Sequence, residues 1–164
     1  MKLNKLLLTT TLIATALIGG HANAVDQTGN ASATIVQGLA VNETTAMDFS
    51  SIVPDAAGDT ITMDTAGARS ATGSSTFQGT GQAGVFGITG NPSSAITISF
   101  STGDVLSGPG ADMSLSNFAH DAGGSPALDG SGALTLNVGA DLGINAAQTA
   151  GAYSGTYTIS VDYP

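Results

Sequence analysis

Few residues in this chain could do chemistry. Its 164 residues include two histidines, no cysteine and no tryptophan. His120, in Phe118-Ala119-His120-Asp121, is the only histidine after residue 24. As a general base it would need a serine and an aspartate brought from elsewhere. No Gly-x-Ser-x-Gly elbow supplies the nucleophile, so His120 reads as a solvated loop residue. One histidine without any thiolate is a poor zinc set. Gly79-Thr80-Gly81-Gln82-Ala83-Gly84 has the spacing of a phosphate-binding loop, but no helix pattern follows it, and it reads as a turn.

Carboxylates are more plentiful. Twelve acids offer many pairs for glycoside hydrolysis, but such sites place sugar rings on aromatic platforms. There is no tryptophan, and the three tyrosines fall on one face of one strand, which also counts against a carbohydrate-binding module. Asp55, Asp59 and Asp64 form one acidic stretch, and Asp121 and Asp129 another. Their oxygens suit calcium, yet neither stretch has the spacing of an EF-hand or of a nonapeptide calcium repeat. They read as solvated acidic loops, with calcium as the lesser alternative. The residues thus predict no catalytic, cofactor or metal site, and a protein that is not an enzyme.

The charge pattern narrows the partners. Met1–Lys5 is a short cationic start, Leu6–Gly20 is apolar, and Ala22-Asn23-Ala24 has the small-x-small form of a signal-peptidase site. The apolar run falls short of the ~20 residues that span a bilayer. Residues 1–24 are therefore expected to be a cleaved export signal, with one domain over 25–164. The product would be periplasmic, on the cell surface or extracellular, with no membrane insertion after cleavage. Residues 25–164 carry one basic side chain against twelve acidic ones, a formal charge of −11. Nucleic acid is excluded as a partner, because its affinity comes largely from cations on phosphates. Arg69, the lone cation, is expected to pair with an aspartate.

The elements that position these residues read as strands. Tyr153, Gly155, Tyr157, Ile159, Val161 and Tyr163 alternate with Ser154, Thr156, Thr158, Ser160 and Asp162, the period of a half-buried strand. Ile96, Ile98 and Phe100 alternate with Thr97, Ser99 and Ser101. Leu134, Leu136 and Val138 alternate with Thr135 and Asn137, and Ile61 and Met63 with Thr60, Thr62 and Asp64. Weaker candidates are 33–41, 47–52, 76–79, 84–89 and 113–118. Turn chemistry separates them at Pro54-Asp55, Ala57-Gly58-Asp59, Gly90-Asn91-Pro92, Gly108-Pro109-Gly110 and Asp129-Gly130. No helical period appears, beyond one short turn at 145–149. The pattern predicts an all-β protein, an antiparallel β-sandwich of about eight or nine strands, with a barrel as the alternative.

Several segments resemble the bacterial secreted domain-of-unknown-function family 4402. They are Thr34-Ile35-Val36 with Leu39-Ala40-Val41, Met47-Asp48-Phe49-Ser50-Ser51-Ile52, Gly67-Ala68-Arg69-Ser70, Phe86-Gly87-Ile88-Thr89-Gly90, and the ending from Ala150 to Tyr163. The resemblance implies an immunoglobulin-like sandwich without an assigned activity. The ending is also similar to the last strand of chaperone–usher pilins and spore-coat-U-like proteins. Those carry a penultimate tyrosine and a glycine fourteen residues from the end, here Tyr163 and Gly151. That likeness implies a structural, pilin-like subunit of a surface or fimbrial assembly with a role in cell adhesion. Gly151, Tyr153, Gly155, Tyr157, Ile159, Val161 and Tyr163 would be its strand-pairing residues. Its partner would be a periplasmic chaperone or another copy in a homo-polymer. The alternative is a self-contained monomeric sandwich that binds an extracellular ligand or calcium.

Overall fold

The computed structural model describes residues 25–164, so the export signal expected over 1–24 lies outside the described residues. Ile35–Pro164 form one compact unit, and residues 25–34 are not part of it. Residues 25–39 form no strand, and all but Leu39 are exposed.

Eleven strands follow: β1 (Ala40–Thr45), β2 (Ser51–Val53), β3 (Asp59–Met63), β4 (Arg69–Ala71), β5 (Thr76–Gln78), β6 (Gly84–Thr89), β7 (Thr97–Phe100), β8 (Asp104–Leu106), β9 (Met113–His120), β10 (Ala133–Ile144) and β11 (Ile159–Asp162). Every ladder is antiparallel. The all-β antiparallel class is as the alternation predicts, but the count exceeds eight or nine. The additions are β4 and β8, each three residues long and too short to show a period. They are strands because β3 and β9 offer them a ladder. The expected strand over 33–41 moves to Ala40–Thr45, where pairing with β6 outweighs the greater hydrophobicity of Ile35 and Val36.

β10 is the spine of the large sheet. One edge pairs with β9; the other takes β6 along Ala133–Val138 and β3 along Ala140–Ile144. Leu134, Leu136, Val138, Ala140, Leu142 and Ile144 face inward, and Leu136 and Val138 are fully buried. The strand extends six residues past Val138, the last residue of the alternation read from the sequence, through Gly-Ala-Asp-Leu-Gly to Ile144. A bulge in β9 lets Asn117 and Phe118 oppose Ala140, with Asn117 at positive φ. The bulge shifts the phase of β9, so Met113, Leu115 and Phe118 all pack inward.

A second layer faces this sheet, and the arrangement is sandwich-like. It consists of two separate two-stranded pieces, β7–β11 and β2–β5. The first covers a cluster of Phe86, Ile88, Ile96, Leu128, Leu136 and Val138, against which Ile98, Phe100, Ile159 and Val161 pack. The second lies over Phe49, Ile61, Met63, Met113, Leu115, Ala140, Leu142 and Ile144, against which Ile52 and Phe77 pack.

Candidate functional site

The residues singled out at the C-terminus keep their alternation. Tyr153, Tyr157, Ile159, Val161 and Tyr163 are half-buried, while Ser154, Thr156, Thr158, Ser160 and Asp162 are exposed. They do not form the uninterrupted eleven-residue strand that alternation predicts. The ladder runs only over Ile159–Asp162 against Thr97–Phe100, with one isolated bridge between Ser154 and Ser107. The reason lies in the partner. After Phe100 the neighbouring chain turns and joins the large sheet as β8, so residues 155–157 have no ladder partner on that edge.

Each predicted residue on this tail has its own setting. Gly151 (φ 151°) lies against the ring of Pro109, and a Cβ on Gly155 would overlap the Val105 carbonyl oxygen. Only glycine lets the tail cross the β8 backbone this closely. Tyr153 donates from its hydroxyl to the Thr149 carbonyl at 2.8 Å. The Tyr157 ring stacks on Phe118 (4.9 Å between centroids) and meets Phe86 edge-on at 6.0 Å. Its hydroxyl is buried with no hydrogen-bond partner. Burial, with Glu43 adding a smaller effect, pushes its pKa up to about 12. Ile159 and Val161 pack on the cluster around Leu136. The Tyr163 hydroxyl donates to the Gln37 carbonyl (2.7 Å) and accepts from the Asn91 N–H (2.6 Å).

Between the tail and β2 lies an open groove of about 680 Å³. Its floor is core: Leu142 and Ile144 of β10, Met113 and Leu115 of β9. One wall is residues 47–52, and the other is the tail from Gln148 to Tyr157. No residue of β5 or β7 lines it, so the edges bordering the gap are the unpaired ones of β2 and of the tail. The groove thus lies between the β2–β5 piece and the tail of the β7–β11 piece. Sequence reasoning found the tail wall and the β9 side of the floor and missed the β10 side, because Leu142 and Ile144 sit among glycines. Their signal was present as a continued alternation Leu136, Val138, Ala140, Leu142, Ile144.

The acidic residues weighed for calcium each serve their own turn. Asp59 accepts at Oδ1 from the Thr72 hydroxyl (2.7 Å) and the Gly73 N–H (2.7 Å), and at Oδ2 from the Ser75 N–H. These bonds, led by the Thr72 hydroxyl, hold its carboxyl far below the usual range. Asp55 is lowered by the N–H groups of Ala57 and Ser74, and Asp129 by that of Ala133 with the Ser131 hydroxyl. Burial alone would raise Asp121, but the Asn137 side-chain amide and N–H outweigh it and the net shift is downward. Asp64 caps the β3–β4 turn through the N–H groups of Ala66 and Ala68. Among the described residues no three metal-ligating side chains of this kind converge.

The expected Arg69–aspartate pair is not formed. The guanidinium donates to the carbonyls of Phe49 and Gly79 and lies 4.7 Å from the centroid of the Phe77 ring. Two backbone carbonyls and an aromatic face of β5 thus hold the guanidinium in place of a carboxylate. His120 tilts over Phe100 at 6.2 Å, half-buried at the edge of the aromatic stack rather than in solvent.

Residues 39–163 match the family model of a domain of unknown function, DUF4402. The chain belongs to the DUF4402 family. The match spans the whole ordered sandwich, groove included, and starts at Leu39, where the strandless arm ends. No curated protein and no solved structure matches the chain. The DUF4402 assignment is the one the segments from Leu39 to Tyr163 led to, and it assigns no activity.

Proposed function

We propose that this protein is a structural subunit, pilin-like in its logic, that assembles on the bacterial surface by adding a strand from one copy to the groove of another. The observation that carries the reading is the split second layer. Its gap leaves an open groove whose floor is the buried core side chains Met113, Leu115, Leu142 and Ile144, and the same chain carries a strandless arm with Ile35 97% exposed and Val36 55% exposed. Strand addition would give the arm a ladder and the groove its missing apolar cover. Residues 27–42 carry no charge, so the arm approaches a strongly anionic copy without repulsion. Arm and groove are different patches, and such head-to-tail contacts build open filaments rather than closed dimers.

In this reading the role is mechanical, in adhesion or surface architecture, and no catalysis is involved. Export by residues 1–24 delivers the chain to the periplasm, where a chaperone strand could occupy the groove before assembly. The test is sedimentation of residues 25–164 beside an Ile35→Asp/Val36→Asp variant. The wild type should associate with rising concentration and the variant should stay monomeric with an unchanged melt. A monomeric wild type whose arm stays open to solvent would favour the alternative, a self-contained sandwich binding an extracellular ligand or calcium. Chelation should then lower its melting temperature.

A further inference from the structure

The arm leaves the sandwich at a fixed point. Tyr163 holds the carbonyl of Gln37, its hydroxyl stands against Gly90, and Leu39 packs on the cluster around Leu136. Everything before Gln37 is therefore tethered to the Tyr163 end of the tail, whereas the groove wall is the other end, from Gln148 to Tyr157. The nearest groove-wall residue on the tail, Tyr157, is six residues from Tyr163, about 20 Å of extended chain. Ile35 is two residues from Gln37 and can stray from it by at most about 7 Å. The apolar pair Ile35–Val36 falls well short of its own groove, even with the tyrosine side chain added. Only residues 25–31 could reach back that far, and among them Val25 is the single large apolar side chain.

From this we infer that the pinned root is a length-setting device: Tyr163 and Leu39 keep Ile35 and Val36 out of their own groove, so the groove is filled only by the arm of another copy. The inference rests on the strand-addition reading and adds the reason why a chain carrying both arm and groove does not cap itself. Tyr163 is a positioning residue here, acting through Gln37.

The test lengthens the tether without altering arm, pin or groove. Twelve Gly/Ser residues inserted between Val36 and Gln37 give the arm enough reach, at an effective concentration of order millimolar. The same twelve placed before Val25 leave the reach of Ile35 unchanged. Sedimentation and hydrogen exchange of the arm amides are read on all three forms of residues 25–164. The wild type and the Val25 control should associate with protected arms. The tether variant should be monomeric at every concentration, with its arm protected. A tether variant that associates like the wild type would overturn the inference while leaving strand addition standing. A wild type that is monomeric with a protected arm would overturn it too, since the arm would then be capping its own groove. Unprotected arms in all three forms would remove strand addition itself, and the inference with it.

Discussion

The two halves of the sandwich are built from the same spine and finished differently. Along Leu134–Val138, β10 is covered by β7, β11 and the Phe100–Phe118–Tyr157 stack, with Leu136 and Val138 fully buried and Leu134 half-buried. Along Ala140–Ile144 the same strand floors a groove, because β2–β5 and the tail stop short of each other. Both stretches alternate alike and both bury their inward side chains, with Ala140, Leu142 and Ile144 no more than 7% exposed, so the halves differ in what lies above the core, a paired strand in one and an open groove in the other.

Substitutions can break or sharpen that contrast. In the strand-covered half Leu136→Ala leaves a cavity with nothing able to move into it. It should cost about 4 kcal/mol, against about 2–3 for Leu142→Ala, whose neighbours can relax into the groove. Denaturant midpoints at unchanged m-value measure both, and equal costs would erase the distinction. Next in size is Gly155→Ala, at the crossing of the tail over β8. The new methyl overlaps the Val105 carbonyl and should destabilise by about 2 kcal/mol, read by the same titration.

The tyrosines give a finer contrast. Tyr163→Phe removes two hydrogen bonds and should cost about 1–2 kcal/mol. Tyr157→Phe removes a buried hydroxyl that has no partner, and should be neutral or slightly stabilising, within about 0.5 kcal/mol. A large loss from Tyr157→Phe would mean that its hydroxyl is satisfied in solution.

The last prediction concerns pH. Asp55 and Asp59 fold with lowered pKa values, so their contribution is complete above the unfolded carboxylate range near 4. It is lost as pH falls through that range towards their folded values. Melting temperature should therefore drop between roughly pH 4.5 and pH 2.5. Asp59→Asn should flatten the drop more than Asp129→Asn, since Asp59 holds the Thr72–Ser75 loop through three donors. Equal slopes would mean that the acid-sensitive region is not the groove half.

How much of this was legible depended on length and on partners. The tail and the first half of β10 announce themselves because strict period 2 over several residues has no other physical cause. β4 and β8 exist only because a longer strand lies beside them. The bulge at Asn117 breaks a period that sequence reasoning assumes to be constant. The tail's inward face could be read from its residues, but its missing ladder could not, since that depends on where β8 goes. The groove was illegible for the same reason: it is a gap between elements, and no residue encodes a gap. Arg69 was misassigned because a count of acids says nothing about carbonyls, which hold it here.

That arginine has a practical consequence. It is the only lysine or arginine in residues 25–164, so a protease with trypsin's preference has one bond to attack, Arg69–Ser70. Both residues lie in β4, laddered to Met63 and Thr62, and the side chain a protease pocket must swallow is clasped by Phe49, Gly79 and Phe77. Cleavage must wait for β4 to open. The folded residues 25–164 present trypsin-like proteases with no ready site at all. A single cut, timed on a gel, reports how often this one strand lets go.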